Sequence, residues 1–142
     1  MSDALEHEPR IARGQHPLIS ADDISKLVDD FYADIRVHPV LGPIFNTRLD
    51  GKWPEHLAKL NAFWRSVLLT TGEYVGRPVP AHNNIEELES RNFAEWLHLF
   101  DQHIERIFEP EAQAIIKEKA RRIARSLWFA RFGTPFNNPP QW

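Results

Sequence analysis

The chain contains no cysteine in its 142 residues. That removes disulfides, thiolate metal ligands and a cysteine nucleophile together, and it fits a reducing compartment. Charge of one sign is also lacking. Seventeen Lys and Arg stand against twenty Asp and Glu, a formal net charge of −3, so no bulk field draws the chain to nucleic acid or to an anionic membrane. No apolar run approaches the roughly 18 residues of a membrane span. The amino terminus, MSDALEHEPRIARGQHP, has no apolar stretch of the kind a secretory leader carries. Glycine is sparse, six residues with no two adjacent. There is no phosphate-cradling Gly-rich loop, no Gly-x-Ser-x-Gly and no His-Glu-x-x-His. No segment alternates as a strand does, and no repeat is present. These absences leave a cytoplasmic, single-domain, all-α protein as the expectation.

What is present is aromatic and helical. Nine Phe and five Trp serve either a ring-filled core or the lining of a cavity for a flat apolar ligand. Ser20 precedes Asp22 and Asp23, a capping hydroxyl followed by acids, and Ile24, Leu27, Val28, Phe31 and Ile35 then recur at helical spacing to about Val37. Pro39 and Pro43 bracket a turn-like piece ending at Phe45, and NTRLDGKW reads as a loop. Pro54 suits the first turn of a helix running to about Leu69. His56, Leu60, Phe63 and Val67 form one stripe on it, and Trp53, Leu57, Trp64 and Leu68 widen that stripe. Residues 70–80 hold two glycines and two prolines, exclude regular helix, and lead to His82. A third long helix runs from Ser90 to about Phe108 with Phe93, Leu97, Phe100, Ile104 and Ile107 on its core face. A fourth opens at Pro110, carries Ile116, Ala120, Ile123 and Leu127 as its stripe, and ends before Gly133. Residues 1–19 read as a flexible extension, 20–132 as the domain and 133–142 as an irregular tail.

Seven histidines invite a metal reading. His7, His16 and His38 read as plain surface. Glu95 and His98 match the Glu-x-x-His pattern of di-iron bundles, but no second copy exists, and His98 lies off the core stripe. His103 also reads as exposed. His56 lies on an apolar stripe, where a satisfied core histidine and a ligand both fit. His82 follows a rigid Pro-x-Pro segment that fixes its backbone, and spacing alone does not make it a ligand. The basic run at 117–125 reads as the polar face of an amphipathic helix.

In combination these residues are similar to the third group of truncated haemoglobins over residues 20–132. The likeness is carried by FYADIR at 31–36, LGPIFN at 41–46, WPEHLAKLNAFW at 53–64, TGEYVGRPVPAH at 71–82 and FAEWLHLF at 93–100. The first two groups usually carry Gly-Gly pairs, which this chain lacks. The resemblance implies a two-over-two helical sandwich around haem b, with His82 as the proximal iron ligand and its second ring nitrogen donating to a backbone carbonyl. Tyr32, His56 and Trp96 match the distal positions, the first and last as donors to a ligand carrying partial negative charge and His56 as a gate. Phe45 and Leu60 match apolar haem contacts, and Trp64 the haem edge. Lys59, and more weakly Arg77, match positions facing a propionate.

The function so implied is binding of O2 and other diatomic ligands (NO, CO), in oxygen, nitric oxide or peroxide handling. Two distal donors favour retention over bulk oxygen transport. Peroxidase-like or nitric-oxide-dioxygenase-like activity is compatible with them and requires a reductase. The alternative is a haem-based sensor or ligand store acting through a separate partner. A monomer or weak dimer is expected.

Overall fold

A computed structural model describes residues 16–72 and 87–142. Most of the expected extension, and the segment with Arg77 and His82, lie outside the described residues. Five helices are present among those described: α1 (Ala21–Val37), α2 (Leu41–Leu49), α3 (Trp53–Leu69), α4 (Ser90–Ile107) and α5 (Pro110–Phe132). None of them is long and apolar enough to cross a membrane.

The first helix starts where its chemistry says it should. Ser20 Oγ accepts from the Asp23 N–H at 3.1 Å, and Asp22 and Asp23 complement the positive end of the helix. Its inward residues Ile24, Leu27, Val28, Phe31, Tyr32 and Ile35 are all buried, and Ile19, just ahead of the cap, joins the same core. This face meets α2, α3 and α4, so α1 is the centre of the packing.

The expected turn and loop over residues 39–49 is instead the helix α2. Pro43 misleads because it sits in the first turn, where an N–H has no intrahelical partner and a proline costs nothing. Two other first-turn donors are satisfied from outside: the Val40 and Leu41 N–H groups both donate to His38 Nδ1, at 3.1 and 3.0 Å. His38, expected as plain surface, is therefore a capping residue; His16 Nδ1 likewise accepts from the Leu18 N–H at 3.0 Å. Only Asp50, Gly51 and Lys52 remain as the connection, with Gly51 at φ +75°.

The helix α3 carries Pro54 at its start and ends on Thr70 in the left-handed region, φ 55°. Its two stripes differ in burial. Trp53, Trp64 and Leu68 are buried, whereas His56, Leu60, Phe63 and Val67 are only half-buried.

Capping of α4 is a small network. The Glu89 N–H donates to Asn92 Oδ1 at 2.6 Å, and Asn92 Nδ2 donates to Glu95 Oε1 at 2.7 Å. Asn92 is 2% exposed, so this pairing is what allows an amide into the core. Trp128 Nε1 of α5 donates to Ser90 Oγ at 2.7 Å in the same corner. The buried column on α5 is Ala112, Ile116, Ala120, Ala124 and Trp128 at strict four-residue spacing, while the expected Ile123 and Leu127 are only partly covered. Three alanines in that column let α5 lie close against α4. Lys117 and Arg121 of the basic run reach back to α4. Arg121 is bidentate to Asp101, at 2.6 and 3.0 Å, and Lys117 Nζ lies 2.6 Å from Glu105 Oε2. Beyond α5, Asn137 Nδ2 donates to the Phe132 carbonyl, and the Trp142 ring stacks on Phe93, centroids 6.1 Å apart.

Gly42 marks the closest approach of α2 to the end of α1. A Cβ there would lie 2.9 Å from the Arg36 carbonyl oxygen and 3.1 Å from that of Ile35. Both are backbone atoms and cannot swing aside. Gly42→Ala is therefore expected to destabilise the protein by about 1–3 kcal/mol despite the better helix propensity of alanine; a shift of the urea midpoint to lower concentration, with unchanged slope, checks this.

Candidate functional site

The site grows from the pair Phe31–Tyr32 on α1. Successive helix positions point about 100° apart, so Phe31 faces α4 while Tyr32 faces the start of α3. Tyr32 is 4% exposed. Around it stand Phe45 from α2 at 6.5 Å, Trp53 at 6.1 Å and His56 at 6.2 Å between centroids, the last at an interplanar angle of 88°. Phe31 packs edge-on against Tyr32 at 4.8 Å and Trp96 at 5.3 Å. Trp96 in turn stacks on Phe100 at 4.9 Å.

The three expected distal residues divide into a pair that shares Phe31 and an edge-on neighbour. Tyr32 and Trp96 both pack on Phe31, and the indole N–H is a donor that favours the phenol oxygen. Burial pushes the Tyr32 phenol well above its ordinary range, with the Trp96 side chain opposing in part. The hydroxyl stays protonated, and so stays a donor, throughout the physiological range. His56 lies at the half-buried rim, edge-on to Tyr32 and to Trp53, the latter 5.9 Å away.

The other expected residues are spread more widely. Leu60 lies one turn beyond His56 on the half-buried stripe, and Phe45 is also half-buried. Trp64 is 2% exposed and packs on Phe100 at 5.1 Å, which puts it on the core stripe rather than with Leu60. Lys59 is exposed. His98 is exposed as expected, its Nε2 within 3.3 Å of Gln102, and Glu95 is engaged by Asn92. Among the described residues no three His, Asp or Glu side chains converge on a possible metal position.

Three residues matter more than the sequence suggests. Trp53 packs against Tyr32. Its Nε1 donates to Asn46 Oδ1 at 3.1 Å, Asn46 Nδ2 donates to the Arg36 carbonyl at 2.9 Å, and the Arg36 guanidinium lies 5.1 Å over the indole. Asn46 thereby ties the ends of α1, α2 and α3 together. Nothing in its spacing marks it, because its partners lie on two other elements. His103, expected on the surface, is 6% exposed. It follows Trp96 by seven residues, hence two turns on the same face, and both its ring nitrogens are partnered. That spacing was the available signal.

These residues suit a flat apolar prosthetic group such as haem. Leu57, Leu60, Phe63 and Val67 of α3 are apolar and partly buried, and the buried Tyr32 phenol stands against the start of the same helix. Apolar side chains with one polar group beside them suit such a ligand.

No protein-family model matches the chain. The crystal structure of a group III truncated haemoglobin from Campylobacter jejuni superposes with a TM-score of 0.75 and 31% sequence identity, covering 87% of this chain and 98% of that one. The fold is therefore that of a truncated globin. The group 3 truncated haemoglobin ctb of Campylobacter jejuni subsp. jejuni is 35% identical over 109 residues, 75% of this chain and 86% of that protein. The chain belongs to the group III truncated haemoglobins.

The environment of Tyr32 has a consequence at high pH. Its phenol ionises more readily in the unfolded chain, near the ordinary value of 10.0, than in the folded one. Stability is then fully present below pH 10 and falls by about 1.4 kcal/mol per pH unit above it. Urea unfolding followed between pH 9 and pH 11 should show this loss in the native protein and a shallower one in Tyr32→Phe.

Proposed function

We propose that the chain holds haem b against the half-buried stripe of α3, with His82 as the proximal iron ligand, and binds O2, NO and CO on the side of Tyr32. The observation that carries this reading is the split character of α3: one stripe is buried in the protein, and the other is half-covered and leads to a buried phenol. The resemblance over residues 71–82 is what selects His82.

Bound haem supplies an iron centre that takes a diatomic ligand and exchanges electrons. The chain's own residues do the rest. Tyr32 presents its O–H to the ligand in a site of low dielectric constant, where one such bond counts for more than in water. Trp96 supplies its indole N–H as the second donor. His56, at the rim, gates entry. Phe45 and Leu60 exclude water from the ligand, and Lys59, from the surface, pairs with a propionate, a role that Arg77 shares. Two distal donors favour a tightly held ligand, so the chemistry fits oxygen, nitric oxide or peroxide handling better than bulk transport. Turnover in any of these calls for a separate reductase.

A visible spectrum tests the reading. Added haem should give a Soret band with one-to-one stoichiometry, and His82→Ala should lose it or change the ferrous spectrum. A colourless protein sinks the haem assignment, and an unchanged ferrous spectrum in His82→Ala sinks the proximal one. In the ferrous protein, Tyr32→Phe should speed O2 release about tenfold, the worth of one well-made hydrogen bond.

A further inference from the structure

We infer that His103 and Asp34 are positioning residues for the Tyr32–Trp96 pair, acting through the ring of Phe31. This rests on the distal role proposed for that pair, and it assigns a task to a buried histidine on the far side of the core.

On α4, Trp96, Phe100 and His103 are spaced i, i+4 and i+7 and so share one face. All three present rings to Phe31, which is fully buried: Trp96 at 5.3 Å, Phe100 at 4.8 Å and His103 at 6.0 Å between centroids, each edge-on. Phe31 also touches Tyr32 at 4.8 Å. Two pairs of polar side chains from α1 and α4 meet around this ring. Tyr32 and Trp96 both pack edge-on against it, and His103 Nε2 lies 2.7 Å from Asp34 Oδ2. A carboxylate can only accept, so Nε2 carries the proton. His103 Nδ1 then accepts from Arg106 Nη2, and that guanidinium lies 3.6 Å from Asp30 Oδ2, also on α1.

His103 is thus held in one tautomer and one orientation by groups on both helices. A surface ion pair seldom settles the placement of two helices. Here, however, the imidazole itself is 8% exposed, which withdraws the bond from water competition, although Asp34 is half-exposed. Releasing His103 frees Phe31 to tilt and lets α4 rotate relative to α1. The Trp96 indole and the Tyr32 phenol then lose the placement that Phe31 gives them.

The test uses the haem-loaded ferrous protein and compares Tyr32→Phe, His103→Phe, the double variant, Asp34→Ala and Asp34→Asn. His103→Phe keeps an aromatic ring against Phe31 and removes both hydrogen bonds. We expect it to raise the O2 dissociation rate by about three- to tenfold. Asp34→Ala, a change at a half-exposed position that leaves the core filled, should do the same. Asp34→Asn, which retains an acceptor for Nε2, should stay within about twofold of the native rate. In a Tyr32→Phe background, His103→Phe should add less than about twofold, because the group it positions is gone. A merely structural role would lower the melting temperature without that dependence on Tyr32. In the CO-bound protein the indole N–H resonance of Trp96, identified by its loss in Trp96→Phe, should move in His103→Phe and Asp34→Ala. Native dissociation rates in both variants, where Tyr32→Phe does accelerate release, overturn the positioning role, as does equal acceleration with and without Tyr32. If Tyr32→Phe itself leaves the rate unchanged, the distal function fails. The Trp96 resonance then decides the coupling alone: displaced it stands, unmoved it falls.

Discussion

The ring of Phe31 sits at the crossing of α1 and α4, and the placement of nearly every polar group of interest follows from it. Its edges and faces meet Tyr32, Trp96, Phe100 and His103. Aromatic pairs prefer such edge-on arrangements because the ring quadrupoles are then complementary, each pair contributing about 0.5–1.5 kcal/mol beyond its buried area. A ring constrained on four sides has little freedom to rotate or shift. The His103–Asp34 hydrogen bond beside it is therefore made between groups whose separation is already set by packing, and little ordering entropy remains to oppose it.

A second constraint governs the other wall of the pocket. The short helix α2 meets little of its own capping need. Its first-turn donors go to His38, and its Asn46 bridges Arg36 and Trp53. Nine residues with a glycine and a proline in the first turn would not hold a helix in water. Tertiary contacts hold it, and in doing so they place Phe45 and Trp53 on two sides of Tyr32. The donor residue is thus framed by two elements that owe their order to different sources, a long amphipathic helix and a short one capped from outside.

This difference explains what was legible in the sequence. The four long helices carry their own signals: Ser20 with its following acids, Pro54, Ser90, Pro110, and apolar residues at three- and four-residue spacing. Their bounds are close to those the periodicity predicts. The helix α2 has no such signal, since Pro43 and the polar residues after it read as a turn and a loop, and only the surrounding structure reverses that. Within the site, Tyr32, Trp96 and Phe45 owe their assignment to motif likeness, and the structure brings all three to one place. Periodicity alone spoke for Tyr32 and Trp96 as core rings, which they also are. Asn46 was invisible because its role is defined by two partners on other helices, Arg36 and Trp53. His103 was misread because the core stripe was drawn through Phe100, Ile104 and Ile107, and a histidine beside it was given to solvent. Its spacing from Trp96 placed it inward all along.

The unequal stripes of α3 bear on the life of the chain as well as on its chemistry. Trp53, Trp64 and Leu68 are buried, whereas Leu60, Phe63 and Val67 are only partly so. A molecule that lies on that surface in the folded state, and finds no such surface in the unfolded one, shifts the folding equilibrium by mass action, by about 2.7 kcal/mol at a hundred times its dissociation constant. A molecule bound there would complete the core from outside the polypeptide. Under that linkage, its supply would set the fraction of chains that are folded, and with it their exposure to proteases and their abundance.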